Sequence, residues 1–244
     1  MNVRRLVRII GTLLAVGGVG LLVWVIVVWR WQDPFTALYT SWKQHQLSSS
    51  YERRVRTYRP SFTKHTASLV VTAGEIRAQA RRYRLESKRG QAIGRILVPR
   101  LHLKMVIVDG TDHDSLMKGP GLDRRTYMPG EGQLVYIAGH RTTYLAPFAH
   151  IERLRPGDAV TVEVPYATFL YRVYKHRIVP GDDLAVLRST GREIVELQAC
   201  HPRFFASHRY LAYARLVRID PRGGPAFRPP ATGLAAAPLA SAQG

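Results

Sequence analysis

Residues Ile9 to Trp29 contain no charged side chain. As a helix rising ~1.5 Å per residue, such a stretch spans roughly 30 Å, the thickness of a bilayer core. Leu, Ile and Val dominate it, and each favours insertion by ~0.3–0.6 kcal/mol at a helix centre. Gly11, Gly17, Gly18 and Gly20 weaken the signal but are tolerated in lipid, where backbone hydrogen bonds are hard to surrender. Trp24, Trp29 and Trp31 gather at the far end, as interfacial aromatics do. A cleaved signal peptide would have a shorter apolar run and a small-residue cleavage site. This run ends in Trp29-Arg30-Trp31, so an uncleaved membrane anchor is expected. Arg4, Arg5 and Arg8 precede it. They place the N-terminus in the cytoplasm of a single-pass protein and everything after Trp31 outside the cell membrane. Arg30 and Lys43 dilute that contrast.

Charge narrows the partners. The chain has 36 basic and 17 acidic residues, for a formal net charge of +19. Such an excess suits an anionic partner, or else forms a solvated face that repels its neighbours. An exported domain meets no nucleic acid, which leaves lipid headgroups and acidic wall polymers. Cys200 is the single cysteine, so no intramolecular disulfide can form. A lone exported cysteine reads either as a reactive thiol or as a small buried hydrophobe.

Four segments are expected. Residues 1–31 form the tail and anchor, and residues 32–91 a basic juxtamembrane stalk. Ser48-Ser49-Ser50 and Arg59-Pro60-Ser61 read as loop, and Ala67 to Arg84 as a helix interrupted by Gly74. Residues 92–220 carry short β-type runs. These are Ile96 to Val98, Met105 to Val108, Leu134 to Ala138, Ala159 to Val164, Phe169 to Tyr174, Ile194 to Leu197 and Tyr210 to Ile219. Gly and Pro punctuate them, as in a closed or nearly closed β-barrel. A short helix is expected at Pro147 to Leu154. Residues 221–244 are rich in Pro, Gly and Ala and read as disordered.

Three strand ends carry chemistry. One apolar strand runs into Gly139-His140, and another ends at Cys200-His201-Pro202, where Pro202 cannot extend a ladder. A third opens near Arg209-Tyr210. A thiolate attacks carbonyls, an imidazole protonates a leaving amine, and a guanidinium stabilises an oxyanion. Spacing alone leaves the opposite reading open: a packed cysteine, a surface imidazole and a solvated arginine. Asp109, Asp112 and Asp114 form a small acidic group. Asp114-Ser115-Leu116 reads as a helix start rather than a metal site, and no metal or cofactor is expected.

The segments AIGRILVPRLHLKMVIVDGT, KGPG, PGEGQLVYIAGHRTTYLAPFAHIERLRPGD and LQACHPRFFASHRYLAYARL together resemble a sortase, most closely the class E type common in actinobacteria. The resemblance runs from about Ala92 to Ile219. It implies an all-β fold, an eight-stranded barrel with short helices behind one N-terminal transmembrane helix. It also implies a cysteine transpeptidase in which Cys200 is the nucleophile, His140 the acid/base and Arg209 the charge-stabilising group. Such an enzyme cuts a sorting signal of the LPxTG or LAxTG kind between Thr and Gly through a thioacyl intermediate. It then joins the secreted protein to an amine of a peptidoglycan precursor. The family usually reads T-L-x-T-C before the nucleophile; here Ala199 replaces the last threonine, and although it lacks the hydroxyl, the resemblance implies that it binds substrate, together with Tyr144. Tyr144 reads as a groove residue or as an ordinary loop tyrosine. His201 and His208 lie near Cys200 but outside the AGH motif. Two other functions remain. An L,D-transpeptidase would need an S-H-G-C motif, which is absent. A non-catalytic, membrane-bound module for anionic wall polymer or lipid would leave Cys200 unreactive.

Overall fold

The computed structural model describes residues 3–31, 34–62 and 71–229. Helix α1 (Val3–Trp31) is long and apolar enough to cross a membrane, and none of its span from Val3 to Val27 is buried against protein. Helix α2 (Pro34–Thr57) follows, then α3 (Ala73–Glu86), the one-turn α4 (His113–Leu116) and eight strands. The strands are β1 (Ala92–Val98), β2 (Leu103–Asp109), β3 (Gly121–Leu122), β4 (Leu134–Ala138), β5 (Ala159–Val164), β6 (Ala167–Pro180), β7 (Ile194–His201) and β8 (His208–Pro221).

The strands close into a barrel in the order β1-β2-β3-β4-β7-β8-β6-β5. Two pairings, β2 with β3 and β4 with β7, are parallel, and the others are antiparallel. Closure leaves no open edge for another chain to extend. The interior is filled by inward residues such as Ile96, Ile107, Val135, Ile137, Phe169, Val195, Leu197 and Ala214. β5 shows the expected alternation, with Val160, Val162 and Val164 buried between half-buried neighbours. β4 is buried at all five positions because both of its faces are covered. Val135 and Ile137 enter the barrel. Leu134, Tyr136 and Ala138 form a second cluster outside it with Leu211 and Tyr213, under Val186 and Leu187.

The segment read as a stalk is packed on the barrel. α2 includes Ser48-Ser49-Ser50, which the sequence had suggested as loop. Its Gln44 side chain donates to Val106 O (3.1 Å) and Lys118 O (2.7 Å) and accepts from Val106 N (2.7 Å). Thr40 Oγ1 donates to Met117 O and Tyr51 Oη to Glu163 O. α3 opens on a capping box between Thr72 and Glu75, so Gly74 lies in the first turn, where its low propensity costs little. Part of the expected helix from Ala67 lies outside the described residues. α4 starts one residue earlier than expected, with Asp112 as its cap accepting from Ser115 N. The turn expected over Pro147 to Leu154 is a 3-10 helix at Ile151–Arg153. Within the segment expected to be disordered, Phe227 bridges to Ile219 and packs on the core, while 230–244 lie outside the described residues.

Candidate active site

The geometry starts from one register. In the parallel pair, each β4 residue faces the β7 residue sixty positions later, from Leu134 with Ile194 to Ala138 with Gln198. Gly139 N donates to Gln198 O at 3.0 Å and carries the ladder one step beyond β4. Continued by one residue past that bond, the same register puts His140 at the position opposite Cys200. On the other side of β7, Cys200 pairs directly with Arg209 of β8. His140, Cys200 and Arg209 thus form a row across three neighbouring strands.

Strand alternation decides which way the row faces. Val135 and Ile137, Leu197 and Ala199, and Ala212 and Ala214 point into the barrel. The intervening positions on each strand point outward, and these include Cys200 and Arg209. The same alternation turns the Ala199 side chain, fully buried, into the barrel core. A substrate contact through that side chain, considered from the sequence, is therefore corrected.

Each side chain has a distinct setting. Gly139 precedes the histidine because a Cβ there would stand 2.7 Å from the Phe148 ring. His140 is half-buried, and its Nε2 has no hydrogen-bond partner among the described residues. Burial, then the nearby His113, holds its pKa below the ordinary imidazole value and favours the neutral ring. Tyr144 lies over it, with ring centroids 4.9 Å apart. The backbone at Tyr144, Leu145 and Ala146 is left-handed throughout, at φ of 53°, 61° and 38°. Each such residue costs on the order of 1–2 kcal/mol. Thr36 Oγ1 of α2 accepts from Tyr144 N at 3.0 Å and steadies that turn. Cys200 is a free, half-buried thiol. Arg209 Nη1 donates to Ala206 O (2.7 Å) and His208 O (3.0 Å) of the short β7–β8 connection.

Sequence reasoning missed Arg141. Its buried guanidinium donates from Nη1 to Cys200 O (3.1 Å) and His201 Nδ1 (3.0 Å), and from Nη2 to Glu152 (2.8 Å). It therefore ties the histidine strand end to the nucleophile strand end. His201 is engaged by that contact, and His208 Nδ1 meets Ser207 Oγ. The only available signal was the arginine directly after the AGH motif, and nothing local announces its distant partners.

A thiol flanked by an imidazole and a guanidinium on an exposed sheet face suits acyl transfer. Residues 96–217, half of the chain, match the family described as Sortase domain. The chain belongs to the sortase family. Sortases are cysteine transpeptidases, and the observed barrel is their fold. Sortase D of Bacillus subtilis (strain 168) is 33% identical over 132 residues, a match covering 52% of this chain and 65% of that protein. Sortase SrtE1 of Streptomyces coelicolor is 26% identical over 150 residues, covering 54% of this chain and 42% of that protein. This sortase therefore spans less than two thirds of the length of either curated relative. A solved Clostridium perfringens Sortase D5 transpeptidase superposes with a TM-score of 0.58 at 21% identity, covering 72% of this chain and 98% of that one, and supports the fold. These relatives carry both D and E labels, and what they share is the family.

Proposed function

We propose that this sortase is a membrane-anchored cysteine transpeptidase whose catalytic residues are Cys200, His140 and Arg209. The observation that carries the reading is the row these residues form, with Cys200 cross-strand from Arg209 and one ladder step beyond the Gly139–Gln198 hydrogen bond. Neutral His140 takes the Cys200 thiol proton as the sulfur attacks the Thr carbonyl of an LPxTG- or LAxTG-like signal, and Arg209 stabilises the resulting oxyanion. The C–N bond then breaks, and protonated His140 gives its proton to the departing Gly amine. The thioester that remains is attacked by an amine of a peptidoglycan precursor. That amine's proton passes to His140, the new amide forms, and the thiolate is released. Tyr144, whose ring is tilted 42° to that of His140, lines the groove. The single apolar helix α1 holds the domain at the cell membrane, with the basic N-terminus inside and the catalytic domain, residues 92–220, outside.

The test is mass spectrometry of the full chain mixed with sorting-signal peptides and an amine acceptor. Wild type is expected to show an acyl adduct that an excess of amine resolves. Cys200→Ala is expected to show neither adduct nor cleavage at an unchanged circular dichroism spectrum. Cleavage by the alanine variant would sink the assignment.

A further inference from the structure

A cavity of about 950 Å³ opens on the outer face of β6, β7 and β8, and none of the three proposed catalytic residues lines it. Glu196 of β7 is in its wall, and four residues of strand put that side chain roughly 13 Å from Cys200. The cavity is strongly basic. Lys175, Arg177, Arg188, Arg192, Arg215 and Arg228 all line it. Among the described residues none of these six makes an ion pair, whereas nearby Arg218 is matched by Asp220 at 2.8 Å.

The wall brings like charges together. Arg172 of β6 sits directly across from Arg215 of β8, and like charges in that relation repel. Arg172 spends one nitrogen on Gly157 O, a neutral acceptor. Aromatic faces do part of the holding. The Arg215 guanidinium lies 4.1 Å from the Tyr174 ring centre, and Lys175 Nζ lies 4.5 Å from that of Tyr213. A stacked guanidinium keeps its in-plane N–H groups aimed outward, in the fork that matches phosphate oxygens. The carboxyl groups of the wall do not supply the missing charge. Glu193 turns to Gly130 N, Gly132 N and Tyr171 Oη. Glu196 is 1% exposed, and its Oε1 has no hydrogen-bond partner among the described residues. Burial pushes its pKa up to about 8, against the pull of Tyr213, Arg177 and Lys175. At neutral pH it is largely protonated and adds no negative charge to the wall.

We infer that this basin is a binding site for a diphosphate-bearing ligand. A single monoanion leaves most of the cluster uncompensated, whereas a diphosphate brings two or more charges and enough acceptor oxygens for several forks. The basin stands apart from the acyl-transfer reading, since its test needs no turnover. A silent Cys200 would leave it intact, and a failed basin would leave the peptide chemistry intact.

The experiment is calorimetric titration of the full chain, in micelles of neutral detergent, with inorganic pyrophosphate at fixed ionic strength. Acetate and glycerophosphoglycerol, a lipid-type phosphodiester, are the comparisons. Saturable pyrophosphate binding, tighter than either comparison, is expected. Arg192→Gln with Arg215→Gln should weaken it about tenfold or more per arginine, the scale of lost charge-assisted hydrogen bonds. Water-resolved peptide cleavage should be unchanged, because neither residue touches the catalytic row. Acetate binding as tightly as pyrophosphate, or an undiminished affinity in the double variant, would overturn the site. Glycerophosphoglycerol matching pyrophosphate would overturn the diphosphate assignment in favour of a lipid or polymer phosphodiester.

Discussion

Arg141 joins two backbone segments that lie 59 residues apart in the chain, through the carbonyl of Cys200. It touches no reacting atom, so its role is to position the histidine and cysteine strand ends against each other. Displacing a reacting group by about 1 Å can cost on the order of 10²-fold in rate. Arg141→Met is therefore expected to lower kcat by roughly that factor with a smaller change in KM. Arg141→Lys should recover part of it, since lysine can reach one acceptor but lacks the fork that spans Cys200 and Glu152. Kinetics corrected for the folded fraction decide the matter. An unchanged kcat per folded molecule would reduce Arg141 to a structural prop. The strand-end positions of His140, Cys200 and Arg209 were legible in the sequence because each sits where an apolar strand meets a breaker or opens from one. Arg141 was not, because a contact at such separation leaves no local pattern. The error at Ala199 was avoidable in principle: if Cys200 faces out, the residue before it on a strand must face in.

α2 shows how an element can hide. Thr36, Thr40, Gln44, Ser48, Tyr51 and Val55 recur at helical spacing, and Ser48 Oγ accepts from Arg95 at 3.3 Å. The buried face is thus largely polar and hydrogen-bonded, so no hydrophobic period marks it, and the serine triplet pointed to a loop. Gln44 carries much of the docking. Gln44→Ala removes three hydrogen bonds and leaves Val106 N–H unsatisfied at a part-buried site. A loss of about 1–3 kcal/mol is expected, read as a lower urea midpoint of the full chain. A midpoint within error of wild type would mean that α2 contributes little to holding the barrel. The strands were easier. Their cores were legible from apolar runs, but β6 extends well beyond its run, through polar residues such as Lys175, His176 and Arg177, whereas β8 exceeds its run by two residues at each end. Those residues belong to the sheet because β6 pairs with β8 along nearly its full length. That pairing is a long-range fact, with no counterpart in local propensity.

Across the whole molecule, an excess of positive charge surrounds a few buried acids. Glu196 has a folded pKa raised to about 8 by burial, above its unfolded value of ~4.3. The native state therefore holds a proton that the unfolded state has lost. This contribution is fully present below the unfolded pKa and fades as pH rises through about 8. Glu196→Gln keeps the shape and removes the titration. Its stability relative to wild type is expected to grow between pH 5 and pH 8.5 by at least about 1 kcal/mol, the worth of one pKa unit. Parallel denaturation curves at the two pH values would contradict this. The barrel's connectivity bears on the proposed chemistry in a further way. β4 and β7 are adjacent in space, yet the β5–β6 hairpin lies between them in the chain. Pairings of such long range close late, because the loop entropy is spent before the contact returns anything. A nascent or half-assembled chain thus carries an ordinary thiol with no imidazole beside it. Under the proposed chemistry, competence depends on the pairing of β4 with β7, so a copy in which that pairing has not formed has no acid to complete acyl transfer.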